Sequence, residues 1–107
     1  MVIEAMVEAD LGGKRVLDFG CGASAILSLV ASELGADVVA CEIHPAYAAE
    51  AKRQIAANEL DIPVVATASG SFDFAVANVG DAHLVGEVSK LATHGVGTDS
   101  EGELIRW

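Results

Sequence analysis

Lys14-Arg-Val-Leu-Asp-Phe-Gly-Cys-Gly-Ala-Ser-Ala-Ile-Leu27 joins two periodicities in one short stretch. Val16, Leu17 and Phe19 form a short apolar, partly β-branched run with one carboxylate, Asp18, near its end. Gly20 and Gly22 follow at once, and Ile26, Leu27, Val30 and Leu34 then recur at helical spacing. The reading is a buried strand, a tight glycine turn and a helix. Glycine is required where the chain bends sharply and a ligand meets bare backbone. The first turn of the helix offers unpaired N–H groups and a partial positive charge to an acidic ligand group.

Val16-Leu-Asp-Phe-Gly-Cys-Gly22 resembles the first motif of the class I S-adenosylmethionine-dependent methyltransferases, most nearly the ribosomal-protein L11 methyltransferase-like branch. The likeness runs from about Leu11 to Asn78 and is most specific up to Glu42. Gly20-x-Gly22-x-x-Ala25 also fits the dinucleotide-binding fingerprint, so a nicotinamide-nucleotide domain stands as a competing reading. Asp18 inside the strand argues against it, because that fold runs an apolar strand into its glycines.

A length of 107 residues gives one domain, and 52% hydrophobic content, mostly small and aliphatic, suits a closely packed α/β sandwich. No apolar run reaches the length of a membrane span, and the acidic N-terminus has no signal-peptide pattern. A net charge of −10 argues against nucleic-acid binding, which needs clustered Lys and Arg. The charge fits a basic protein substrate, and it equally serves the solubility of a hydrophobic small protein. Two cysteines, Cys21 and Cys41, make no disulfide framework, so reduced thiols in a cytoplasmic protein are expected. His44, His83 and His94 have no metal-ligand spacing.

Taken in order, the pattern predicts a helix over 2–11 with Ile3, Met6 and Val7 on one face, a strand over 15–19 and a helix over 23–34. A second strand over 37–41 ends at Glu42, and Pro45 opens a helix reaching Asn58. Strands are expected over 62–67 and 72–79, and Asp81 caps a helix bearing Leu84, Val85, Val88 and Leu91. Thr93 to Gly102 reads as a polar loop before a last apolar run, Glu103-Leu-Ile-Arg-Trp107.

Strands alternating with helices predict an α/β, Rossmann-like three-layer sandwich. The sheet is expected to be mostly parallel, with about five strands in the order 3-2-1-4-5. Two features depart from the complete family core. The connection after the third strand must cross two strands and return a strand length. Four or five residues reach only about 17 Å, so that strand is expected to end near Val64 or Val65, or the crossover has lost a part. The resemblance also implies a C-terminal hairpin that this chain is expected to lack, leaving an incomplete, truncated core over 1–107. Leu104, Ile105 and Trp107 would then lie on an open edge, inviting a partner chain or a second copy.

By resemblance, Asp18, Gly20, Cys21, Gly22 and Ser24 hold the amino-acid part of S-adenosylmethionine, Ser24 standing where the family has a third glycine. The competing reading of Asp18 is a carboxylate that caps backbone N–H groups of the turn. Glu42, twenty residues beyond Gly22 at the tip of the second strand, is placed to accept hydrogen bonds from ribose hydroxyls. It could instead simply start the next helix. Ile43 would pack on the adenine, and Ser69 is the candidate at its far end, where the usual acid is missing. Asn78, in the position of the family's fourth motif, would flank the methyl group and hold an acceptor amine as the catalytic residue. It could also merely bond its own turn. His44, Tyr47 and His83 read as loop or helix residues with no ligand role. The resemblance thus implies a methyltransferase acting on an amine, such as one of a protein, with S-adenosylmethionine as cofactor; no metal is expected. The alternative is a non-catalytic nucleoside-binding or interaction module.

Overall fold

The computed structural model describes residues 1–107. Its elements run α1 (Val2–Glu8), β1 (Arg15–Phe19), α2 (Ile26–Glu33), β2 (Asp37–Cys41), α3 (Pro45–Ala57), β3 (Val64–Val65), β4 (Phe72–Ala77), α4 (Ala82–Val88), β5 (Ala92–Thr98) and β6 (Leu104–Arg106). One sheet has the order β3-β2-β1-β4-β5-β6. Every pairing is parallel except β5 with β6, which is antiparallel. The expected 3-2-1-4-5 order is present, with a sixth strand added beside β5.

Helices cover both faces unequally. Val2, Ala5 and Met6 of α1 and Ala31 of α2 pack on Val16, Val38, Phe74 and Val76. On the same side Ala51 and Ile55 of α3 meet Ala40 and Ala25. The other face, built on Leu17, Cys41, Ala75 and Ala77, receives Val85 and Val88 of α4. In α1 the buried stripe is therefore Val2, Ala5 and Met6, while Ile3 and Val7 face outward. Both stripes obey helical spacing and share Met6. The small Ala5 allows the close approach to the sheet.

The connection after β3 resolves as its length required. β3 stops at Val65, opposite Cys41 at the carboxyl edge, and β4 restarts at Phe72, opposite Ala92. Seven residue steps span about 24 Å when extended, and three inter-strand spacings combined with a return of one strand length need roughly 22 Å. The crossover fits as a nearly taut segment with no helix of its own.

One expectation at the C-terminus is corrected: the stretch read as a polar loop contains β5, and the final apolar run is a sixth strand, β6, which makes an antiparallel β5–β6 pair. Its turn is built by Asp99, whose Oδ1 accepts from the N–H groups of Glu101 and Glu103, both at 2.9 Å. The final apolar run is the edge strand of the sheet, paired on its inner side only. Gly95 and Trp107 exchange both backbone hydrogen bonds at 3.2 Å, and Trp107 Nε1 donates to the Ala92 carbonyl.

Glycine lowers strand propensity, so His94-Gly-Val-Gly-Thr98 does not read as a strand. Here the missing side chains are replaced by neighbours: the Trp107 ring lies over Gly95 and Val85 over Gly97. A Cβ on Gly97 would stand 2.6 Å from Val85 Cγ2 and 2.9 Å from the Ala77 carbonyl oxygen. Gly97→Ala is therefore expected to cost about 1–3 kcal/mol through overpacking, read as a thermal midpoint lowered by about 5–15 °C. An unchanged midpoint would remove this account of the glycine.

No helix is long and apolar enough to cross a membrane.

Candidate functional site

The carboxyl ends of β1, β2, β4 and β5 meet at one edge of the sheet, where the order reverses on either side of β1. At the end of β1 the chain leaves the strand through Gly20, with φ +71°. The N–H groups of Gly20 and Cys21 both donate to the Cys41 carbonyl, at 2.8 and 3.0 Å, pinning the bend to β2. Gly22, with φ +70°, turns the chain again. Ala25 is left-handed too, at φ 52°, which is why α2 starts at Ile26 and not at Ala23. Ser24 Oγ accepts from the Ile26 N–H at 3.4 Å, serving the helix start.

Asp18 is 2% exposed. The Ser28 hydroxyl, one turn into α2, donates to its Oδ2 at 2.7 Å. Burial pushes the Asp18 carboxyl up to about 6 from 3.8, against the pull of its hydrogen bonds from Ser28; the negative charge of Glu42 adds to the rise. A buried carboxylate beside a second acid is poised for a cation, because a positive ligand group would relieve both costs.

Glu42 lies across the bend from Asp18. Its Oε1 accepts from the Gly22 N–H and its Oε2 from the His44 N–H, each at 3.0 Å. One carboxylate thus ties the glycine turn of β1 to the turn after β2, and each oxygen keeps a second lone pair.

Two cavities open on this edge. The larger, about 1150 Å³, is lined by Asp18, Gly20, Cys21, Ser24, Asn78 and Thr98, among others, and continues toward Asp99 and Glu103. The smaller, about 790 Å³, runs between Glu42 and Ile43 on one side and Ala68, Val79 and Leu84 on the other. Gly20 and Asn78 line both, so they are the common wall. A Cβ on Gly20 would stand 2.6 Å from Val79 Cγ1, whereas one on Gly22 would meet nothing within 4 Å. Gly20 therefore lets the chain pass under Val79, whereas Gly22 faces open space and lines neither cavity.

The structure brings Asp18, Gly20, Cys21, Gly22, Ser24, Glu42, Ile43 and Asn78 to this edge. Ile43 stands 82% exposed beside the smaller cavity. Ser69 lines neither cavity; Ala66, Thr67 and Ala68 of the same segment line the smaller one. Cys21 is a thiol, pushed up to about 12 by burial and by the charges of Asp18 and Glu42 and the thiol of Cys41, and Cys41 is raised likewise by burial. His44 instead caps α3 and stacks on Tyr47 with ring centroids 4.2 Å apart. The Asp81 carboxylate caps α4 by accepting from the N–H groups of His83 and Leu84.

Thr98 and Asp99 were missed from the sequence, since their segment read as a loop. Their signal was positional: a parallel strand after α4 must end at the edge where β4 ends. Asn78 Oδ1 accepts from the Thr98 hydroxyl at 3.0 Å, and Thr98 Oγ1 accepts from the Gly80 N–H at 3.0 Å.

With this geometry established, comparison with known proteins gives a consistent neighbourhood. The family model for ribosomal protein L11 methyltransferase (PrmA) matches residues 1–98. The ribosomal protein L11 methyltransferase of Wolinella succinogenes is 37% identical over 75 residues, covering 65% of this chain and 27% of that protein. That of Thermosipho africanus is 38% identical over 73 residues, covering 63% and 28%. The chain thus spans little more than a quarter of the length of these relatives. The crystal structure of a ribosomal protein L11 methylase from Lactobacillus delbrueckii subsp. bulgaricus superposes with a TM-score of 0.80 at 25% identity, covering 90% of this chain and 56% of that one. The Thermus thermophilus 16S rRNA N2 G1207 methyltransferase, solved with AdoMet and guanosine, gives 0.69 at 25% identity, covering 89% and 32%.

Proposed function

The chain belongs to the ribosomal protein L11 methyltransferase family, and from that premise we propose that it binds S-adenosylmethionine and directs its methyl group to an amine nitrogen of a basic protein, ribosomal protein L11 being the first candidate. The observation that carries the reading is the pair Asp18 and Glu42, held on either side of one glycine bend at the reversal point of the sheet. The residues fit the cofactor chemically. Asp18 in the larger cavity suits an ammonium, Glu42 in the smaller one suits ribose hydroxyls, and Ile43 offers an apolar face to a purine.

When bound, S-adenosylmethionine supplies a methyl already activated by its sulfonium. The chain's own task is then alignment. Asp18 fixes the charged end of the donor. Gly20 and Gly22 present bare backbone at its middle. Asn78, on the common wall, lies where donor and acceptor meet. Asp99 and Glu103, which line the larger cavity, attract the cationic side chains around the acceptor, in keeping with the net charge of −10; the acceptor itself reacts as the neutral amine and loses its proton to solvent after methyl transfer. The outer edge of β6 is the place where a second copy or a partner strand would pair.

Calorimetric titration with S-adenosylmethionine, S-adenosylhomocysteine and NAD tests the cofactor. Saturable binding of the first two and none of NAD is expected, followed by label transfer from the first to L11. Failure of both adenosyl ligands to bind would overturn the reading. Sedimentation velocity tests the β6 edge, a concentration-dependent dimer being the expected outcome.

A further inference from the structure

Thr98 joins three pieces of chain at the common wall of the two cavities. It is 8% exposed at the carboxyl end of β5, one step beyond the Ala77–Gly97 pair and so opposite Asn78. Its carbonyl accepts from the Asp81 N–H at 3.0 Å, its Oγ1 accepts from the Gly80 N–H, and its hydroxyl proton goes to Asn78 Oδ1. A threonine hydroxyl has one proton, so these bonds determine its orientation. Thr98 lines only the larger cavity, whereas Asn78 lines both.

We propose that Thr98 is a positioning residue for Asn78: the Gly80 N–H, Thr98 hydroxyl and Asn78 Oδ1 form one directed chain that turns the carboxamide oxygen toward the larger cavity. This rests on the reading of that cavity as the place of methyl transfer. A carboxamide can present either its oxygen or its NH2 group at a given wall, and the two have opposite chemistry. An amine nucleophile must keep its lone pair free for the methyl, so it can be held only through its own N–H, by an acceptor. Oδ1 has a second lone pair for that bond after Thr98 takes the first. Were the carboxamide reversed, Nδ2 would compete for the lone pair that must attack. Thr98 therefore selects amine acceptors through Asn78 while staying clear of the reacting atoms.

The test uses Thr98→Val, which is close in shape but lacks the hydroxyl, and Thr98→Ser, which keeps it. The Asn78 side-chain NH2 signals in nitrogen-15 spectra are identified by their loss in Asn78→Ala. They are expected to be unchanged in Thr98→Ser and shifted and averaged in Thr98→Val. Turnover on L11 is expected to fall about threefold to tenfold in Thr98→Val, as for loss of one positioning hydrogen bond. The fall should appear in kcat with S-adenosylhomocysteine affinity held, recover in Thr98→Ser, and add nothing in an Asn78→Ala background. Asn78 signals identical in wild type and Thr98→Val would overturn the proposal. So would a loss of turnover that persists in the Asn78→Ala background. Should wild type bind no adenosyl ligand, the cofactor reading fails by itself, and the NH2 signals still decide whether Thr98 orients Asn78.

Discussion

Asp18→Asn is expected to make the free protein more stable at pH 7 while weakening S-adenosylhomocysteine binding about a hundredfold. The two effects have one cause. The carboxyl, raised to about 6 from 3.8 mainly by burial, is ionised at pH 7 in both the folded and the unfolded chain, but only the folded chain has lost its hydration. As pH falls through 6 the folded protein takes up a proton that the unfolded chain accepts only near 3.8. Stability from this group is therefore fully present below about 3.8 and is lost as pH rises through 6, a swing of about 3 kcal/mol. Neutral Asn removes the swing, so the variant gains about 1–3 kcal/mol at pH 7 and its midpoint no longer depends on pH between 4 and 6 through this group. Ligand affinity behaves in the opposite sense. It needs the carboxylate, so wild-type affinity should fall about tenfold for each pH unit below 6, and the Asn variant should show no such dependence. Thermal unfolding and calorimetry at pH 5, 6 and 7 measure both. A variant that is less stable than wild type at pH 7, or that binds as tightly, would mean that Asp18 serves the fold and not the ligand.

What the sequence disclosed about this site is what short-range covalent geometry fixes. Asp18, Gly20 and Gly22 sit within five residues, so a strand followed by a glycine turn brings them together whatever the rest of the chain does. Glu42 was found the same way, one strand and one helix later. The undisclosed part depends on partners distant in sequence. Gly95 and Gly97 look like loop residues until Trp107 and Val85 are seen occupying their missing side chains. Ser28 looks like a neutral helix residue until its hydroxyl is found under Asp18. Thr98 carries no motif, and only the pairing of β5 beside β4 places it against Asn78. Ser69 was chosen for its position after the third strand; that strand ends at Val65, and the three residues after it, Ala66 to Ala68, line the smaller cavity while Ser69 lines neither.

Glu42→Ala carries the second large effect, because the structure gives this carboxylate a task the sequence did not suggest. The expectation was a ribose acceptor. In the fold its oxygens already receive the N–H groups of Gly22 and His44. Alanine leaves both donors without a partner and frees the glycine bend, so the cradle loosens before any ligand arrives. Loss of two charge-assisted hydrogen bonds, with the ribose contacts added, is expected to lower S-adenosylhomocysteine affinity by a hundredfold or more. Glu42→Gln separates the two tasks. Its amide oxygen can still accept from Gly22, but its NH2 group faces the His44 N–H donor to donor, so an intermediate loss of about tenfold is expected. Hydrogen exchange at the Gly22 amide reads the pinning task alone, without ligand: faster in Glu42→Ala, near wild type in Glu42→Gln. Adenosine affinity reads the ribose task alone. If Gly22 exchanges equally in all three proteins while adenosine binding falls, Glu42 is a ribose acceptor that merely rests on the turn. If adenosine binding holds while Gly22 exchange rises, the carboxylate is a brace for the bend, and the sugar is held by other groups of the smaller cavity.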